Sequence, residues 1–207
     1  VLYEVRPIEM LSFLNRLLPA TLISVWTGGA GMAQPNVDSS FSAHDFVFSL
    51  PNGEDLPLAE FRGRPILIVN TASECGFKAQ LGDLQALQAD YGERGLVILA
   101  VPSNDFGGQE PRSEEELTGY CQAQYGATYT ITSETHVKGK EAHPFYKWAT
   151  EQYGVTARPY WNFHKYLIGP DGQLATWFST PTRPTSKDVR KAIEDQLNRM
   201  HEQGMSN

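Results

Sequence analysis

The chain has 207 residues, 41% hydrophobic and 20% charged, which is the balance of a soluble globular protein and the length of one domain with extra terminal segments. A formal net charge of −7 argues against nucleic acid or an anionic membrane surface as partner. Two cysteines exclude a disulfide-dense scaffold but leave room for one redox pair, and five histidines without HxxH or HxxxH spacing argue against a structural zinc site.

Residues 1–33 are expected to be an export signal. Arg16 precedes the largely apolar stretch 17–30, and the small residues Gly31 and Ala33 stand at −3 and −1 of a cleavage point before Gln34. Met10 is the expected start of translation, with residues 1–9 an upstream extension. The apolar stretch contains Pro19 and is short for a membrane span, so no stable span is expected after cleavage; an uncleaved anchor or a plain tail is the alternative. The protein is then periplasmic or secreted, and cytoplasmic if the segment is not a signal. Residues 34–43 read as a polar linker, 44–200 as the folded domain and 201–207 as a polar tail.

Residues 46–50 and 55–58 read as two short strands about the turn Pro51-Asn52-Gly53. Ile66-Leu67-Ile68-Val69 is a run of β-branched and aliphatic residues, the pattern of a strand buried on both faces. The run breaks into Asn70-Thr71-Ala72-Ser73-Glu74-Cys75-Gly76-Phe77, and Leu81, Leu84, Leu87 and Tyr91 then recur at helical spacing. Residues 96–101 form a second buried strand. Two such strands joined by a helix make a βαβ unit, hence a parallel pair whose functional loops lie past the carboxyl ends. Cys75 and the loop 102–111 both fall there. A cysteine at a strand-to-helix turn receives backbone N–H groups and the positive end of the helix dipole, which stabilise negative charge on sulfur. A lone cysteine is also often a small buried hydrophobe.

Within the loop, Gly107 and Gly108 let the backbone bend sharply and bring the Gln109 amide close to another group; a surface turn with an exposed glutamine is the plainer alternative. Ser113-Glu114-Glu115-Glu116 is a capping box that starts a helix, closed by Gly126, with Leu117, Tyr120 and Cys121 on its apolar face. Cys121 is therefore expected in the core. Residues 128–132 suit a strand and 143–153 a helix. Trp161-Asn162 opens the strand 164–168, which pairs across the turn Gly169-Pro170-Asp171-Gly172 with an antiparallel strand 174–178. A buried Trp-Asn pair is usually structural. A final helix, capped near Thr185-Ser186, carries an apolar stripe of Val189, Ala192, Ile193, Leu197 and Met200 to cover one face of the sheet.

Three separated stretches, Asn70-Thr71-Ala72-Ser73-Glu74-Cys75-Gly76-Phe77, Phe106-Gly107-Gly108-Gln109-Glu110-Pro111 and Trp161-Asn162-Phe163, resemble in order and spacing the motifs of the glutathione peroxidase family, over roughly residues 44–199. That resemblance implies an α/β thioredoxin-like fold with a central mixed sheet flanked by helices. It implies a peroxidase acting on hydrogen peroxide and organic or lipid hydroperoxides in protection against oxidative stress. Cys75 is then the peroxidatic residue, and Gln109, Trp161 and Asn162 complete a catalytic tetrad. No bound cofactor or metal is implied, and with cysteine at the site no selenium is needed. The residue types suit this chemistry. Attack on an O–O bond needs a thiolate and donors for the departing oxygen, and two amides and an indole supply N–H groups.

The string Tyr120-Cys121-Gln122-Ala123-Gln124-Tyr125-Gly126 resembles the resolving-cysteine helix of family members that use thioredoxin, with a structural core cysteine as the alternative. The external reductant implied is a thioredoxin-like protein or glutathione. Ser103 stands where many relatives carry a third cysteine and Asp105 where glutamine is common; neither belongs to the tetrad. Only residues 154–160 separate the preceding helix from Trp161, which favours a monomer with an open site for bulky lipid hydroperoxides. Glutathione-binding residues are not carried over, because no matching basic cluster surrounds the motifs in sequence. Two other readings remain: a peroxide sensor that passes oxidation from Cys75 to a partner protein, and a non-catalytic domain with a structural Cys75–Cys121 disulfide.

Overall fold

A computed structural model describes residues 41–204. The expected export signal, the linker as far as residue 40 and the last three tail residues lie outside these. Described linker residues join the domain: Ser42 caps a 3₁₀ turn at Ala43–Asp45, and the N–H of Ala43, itself fully buried, donates to Gly172 O at 2.8 Å.

The elements follow the apolar pattern. A two-stranded hairpin, β1 (Val47–Ser49) and β2 (Asp55–Pro57), precedes β3 (Ile66–Thr71). Then come α1 (Gln80–Tyr91), β4 (Val97–Pro102), α2 (Glu114–Tyr125), β5 (Thr130–Ile131), α3 (Pro144–Tyr153), β6 (Lys165–Ile168), β7 (Leu174–Phe178) and α4 (Lys187–Gly204). The main sheet has the order β5-β4-β3-β6-β7. β3, β4 and β5 run parallel, whereas β6 lies antiparallel to β3 and β7 antiparallel to β6. This is the thioredoxin-like mixed sheet.

Every residue of β3 and of β4 is buried, because both strands are covered on two faces. Leu67 and Val69 of β3 pack in one apolar cluster with Leu84 and Leu87 of α1, Leu117 of α2 and Ile193 and Leu197 of α4. Ile66 and Ile68 turn the other way, into a cluster with Phe46 and Phe48 of the N-terminal segment and Phe145, Tyr146 and Trp148 of α3. The period-two alternation of a strand thus feeds two cores from one run of sequence.

The register decides where the site forms. Val69 near the end of β3 pairs with Lys165 at the start of β6. Because β6 runs antiparallel, the residues that enter it, Trp161 and Asn162, arrive at the same end of the sheet at which the chain leaves β3 for Cys75.

Candidate active site

Asn70, the first polar side chain after the apolar run of β3, holds the segment that enters β6. Its Nδ2 donates to Trp161 O at 3.1 Å, and its Oδ1 accepts from His164 N at 3.0 Å. Its carbonyl accepts from Phe163 N at 2.6 Å. Between these clamps Phe163 has φ +62°, left-handed for a bulky side chain, and its ring is fully buried in the same cluster as Cys75. Such a conformation costs on the order of 1–3 kcal/mol and persists only where the surroundings over-determine it. Here it splits the Trp-Asn pair: Trp161 is 40% exposed and Asn162 is 0% exposed. The pair is thus not buried as a unit.

Asn162 is also held from the far side. Thr180 Oγ1 donates to Asn162 O at 2.7 Å, and Gln80 Nε2 donates to Thr180 O at 2.8 Å. Lys165, fully buried, donates from Nζ to the carbonyls of Ser179, Thr180 and Thr182 at 3.3, 3.2 and 2.5 Å. Burial pushes its ammonium down to about 7. This lysine therefore braces the loop that braces Asn162.

Asn162 Nδ2 donates to Gln109 Oε1 at 3.0 Å, joining two motifs 53 residues apart. The bond commits the oxygen of Gln109 and leaves its Nε2 as a donor. Gly107 and Gly108 both adopt left-handed φ, +74° and +63°, the sharp bend that two glycines permit. Glu74 N, adjacent to Cys75, donates to Gln109 O at 3.0 Å, so the Gln109 loop lies against the Cys75 turn. The Phe106 and Trp161 rings meet at 5.8 Å between centroids.

Cys75 is 1% exposed and carries a free thiol. The helix-dipole expectation needs correction here. α1 begins only at Gln80, after successive i→i+3 turns from Cys75 O to Lys78 N and from Phe77 O to Gln80 N, both at 2.9 Å. Sulfur instead receives one backbone donor, Phe77 N at 3.5 Å. The dipole fades within the first turn of a helix, so the turn amide takes that role.

Sequence reasoning missed the network that fixes this turn. Glu110 is 2% exposed, and its carboxylate accepts from Ser73 N at 2.8 Å and Ser73 Oγ at 2.5 Å. Arg112 reaches the same Ser73 hydroxyl and pairs with Glu74 at 2.7 Å, and its guanidinium covers the Tyr120 ring at 4.2 Å. Burial raises the Glu110 carboxyl above the usual range, against the pull of Ser73 and Arg112. Salt bridges from Arg112 and Lys78 lower that of Glu74. The available signal was an acidic residue directly after the Gln109 turn.

Cys121 sits in α2, 1% exposed, in the same apolar cluster as Cys75 but as a separate free thiol. Burial pushes it up to about 11, so it is protonated at neutral pH. The structure therefore gathers Gln109, Trp161 and Asn162 beside the Cys75 turn and leaves Cys121 inside a helix. It also assembles what the motifs lack in sequence: Lys138, Lys147 and Arg158 line one cleft with Trp161 and Phe106. Among the described residues no cluster of three or more His, Cys, Asp or Glu is placed to hold a metal, and no helix is long and apolar enough to cross a membrane.

A family model described as glutathione peroxidase matches residues 43–150. Trp161 and Asn162 lie beyond that match, and it is the Asn70 and Gln109 contacts that bring them to the Cys75 turn. A glutathione peroxidase homolog from Halalkalibacterium halodurans is 37% identical over 158 residues, 75% of this chain and 99% of that protein. A hydroperoxy fatty acid reductase from Synechocystis is 35% identical over 160 residues, 72% of this chain and 95% of that one. The crystal structure of Trgpx in its apo form superposes with a TM-score of 0.61 at 30% identity, over 77% of this chain and 97% of the other. On the sequence match, the shared fold and the assembled motifs, the chain belongs to the glutathione peroxidase family.

Proposed function

We propose that Cys75 is the residue at which this peroxidase reduces hydroperoxides, with Gln109, Trp161 and Asn162 as its supporting donors. The observation that carries the assignment is the chain of contacts from Glu74 N to Gln109 O and from Asn162 Nδ2 to Gln109 Oε1, which unites three separated motifs beside one cysteine. The Cys75 thiolate attacks the terminal oxygen of R–O–OH and the O–O bond breaks. Sulfur keeps the OH as sulfenic acid, and the departing RO⁻ takes a proton to leave as ROH. N–H donors stabilise the charge first on sulfur and then on the leaving oxygen. Asn162 acts largely through Gln109, since one of its amide hydrogens is committed there.

Cys121 is the resolving residue in this reading. Its thiol condenses with the Cys75 sulfenic acid to a disulfide and water, and an external dithiol of thioredoxin type returns both cysteines to thiols. Cys121 is buried in α2, and a disulfide requires its Cα to come within about 7 Å of that of Cys75. Local unwinding of residues 116–125 after oxidation of Cys75 supplies that approach. The enzyme works as a monomer, needs no bound cofactor, and is exported through its 1–33 segment.

Cys75→Ser should abolish peroxide turnover while leaving the fold intact by circular dichroism; substantial residual turnover overturns the assignment. Cys121→Ser should react once with peroxide and then stall with a thioredoxin-type donor. Full steady-state activity of that variant would make Cys121 a core residue only. Amino-terminal sequencing of protein from native cells should find a start close to Gln34, and recovery of the uncleaved chain refutes export by a cleaved signal.

A further inference from the structure

Lys165 is the one buried lysine or arginine among the described residues, and the donors assigned to the peroxidatic step do not include it. Its place follows from strand alternation. Lys165 shares its face of β6 with Leu167, which packs in the apolar cluster of α1, α2 and α4, and it pairs with Val69 of β3 and Phe178 of β7. A charge on that face is costly unless it is fully bonded. An ammonium has three N–H donors, and the Ser179, Thr180 and Thr182 carbonyls take all three.

The loop that supplies these carbonyls is tied to both halves of the site. On one side the Thr180 hydroxyl holds the Asn162 carbonyl at 2.7 Å. On the other, Gln80, the first residue of α1, donates to Thr180 O at 2.8 Å. Arg183 of the same loop makes a two-pronged pair with Asp83 of α1 at 2.8 and 2.6 Å. The turns between Cys75 and Gln80 carry α1 back to the cysteine. One loop thus spans the start of α1, which follows Cys75, and the segment before β6 that carries Asn162.

Resting on Cys75 as the reacting residue, we propose that Lys165 is a positioning residue for the peroxidatic step: its ammonium fixes the 179–183 loop so that Asn162 and the Cys75 turn stay aligned, and loss of its proton releases them. A neutral amine has two N–H donors and a lone pair that faces the third carbonyl, so one bond becomes a repulsion. Burial lowers the ammonium to about 7, with Asp83 pulling the other way, which brings the change within reach of ordinary pH. The charged and titratable neighbours are Asp83 on α1, Arg183 on the loop and His164 beside it in the chain; Val69 and Phe178 on the flanking strands are apolar. His164 changes charge near 4, below the range in which Lys165 does.

Stability moves the other way. Lys165 binds fewer protons folded, at about 7, than unfolded, at 10.5, so its contribution to stability rises with pH between those values. A positioning lysine therefore gives opposite trends as pH rises: the fold melts higher while Cys75 reacts more slowly.

The test follows the wild-type protein from about pH 6 to about pH 9. Stopped-flow oxidation of Cys75 by hydrogen peroxide is divided by the thiolate fraction, read from ultraviolet absorbance against a Cys75→Ser blank. This normalised rate should fall about tenfold through the Lys165 midpoint while Tm rises. Carbon-detected NMR should show Lys165 Cε and the Thr180 and Thr182 carbonyls titrating together. Lys165→Met should oxidise slowly at every pH, with neither the fall in rate nor the rise in Tm. A normalised rate that stays flat while Lys165 titrates, a rate that falls only together with Tm, an ammonium that keeps its proton throughout, or carbonyl shifts that ignore the titration would each overturn the proposal. So would a folded Lys165→Met enzyme with the wild-type profile; if that variant does not fold, the wild-type titration decides alone. A Cys75 that never reacts with peroxide would sink the reading of Cys75 instead, and the carbonyl titration would still decide whether the ammonium holds the loop.

Discussion

Glu110→Ala removes the carboxylate that ties the Cys75 turn to the Gln109 loop from inside the protein. The structure gives two direct bonds to lose, from Ser73 N at 2.8 Å and from Ser73 Oγ at 2.5 Å, both buried. A hydrogen bond to a charged group contributes about 1.5–3 kcal/mol, so the gross loss is about 3–6 kcal/mol. The cost of burying the carboxylate, seen in its raised pKa, offsets part of this. A net destabilisation of about 2–4 kcal/mol is expected, which for a domain of this size lowers Tm by roughly 5–15 °C. Glu110→Gln keeps one acceptor and should lose about half as much. Calorimetry on the domain measures both, and stopped-flow oxidation of Cys75 by peroxide should slow on the order of tenfold in Glu110→Ala as the turn loosens. Unchanged Tm and oxidation rate in Glu110→Ala would show that the Ser73–Glu110 contact positions nothing.

Other outcomes follow from the same geometry. Thr180→Val leaves the buried Asn162 carbonyl without its 2.7 Å partner and should cost about 1–2 kcal/mol with a severalfold slower oxidation of Cys75; urea melts and stopped flow check both, and an unchanged rate refutes the bracing of Asn162 by that loop. His164, at about 4 folded against 6.5 unfolded, binds fewer protons folded than unfolded between those values, so its contribution to stability is complete above pH 6.5 and is lost as pH falls toward 4. The loss amounts to about 3 kcal/mol, and His164→Phe should remove that part of the slope in pH-dependent melts; an NMR inflection of His164 near 6.5 would refute it.

The order of elements was legible because each carries a local signature. The β3 run is apolar without alternation since both its faces are covered, and Gly126 ends α2 in a left-handed conformation that its lack of a Cβ makes easy. The motifs around Cys75, Gln109 and Trp161-Asn162 could likewise be read as strings, because strand-end loops and paired glycines leave marks in short windows. What required the tertiary structure was whatever depends on pairing across long separations. No local pattern states that β6 docks antiparallel on β3, yet that register brings Trp161 and Asn162 to the Cys75 end of the sheet. Lys165 in a strand reads as a solvent-facing charge, but three carbonyls from a loop 14 to 17 residues later enclose it. Glu110 reads as a surface acid, and only the folded turn at Ser73 supplies the donors that let it be buried. Local sequence fixes φ, ψ and periodicity through short-range sterics; the partners of a buried charge are set by which distant backbone groups the packed sheet leaves unsatisfied, and that is decided only once the chain has folded.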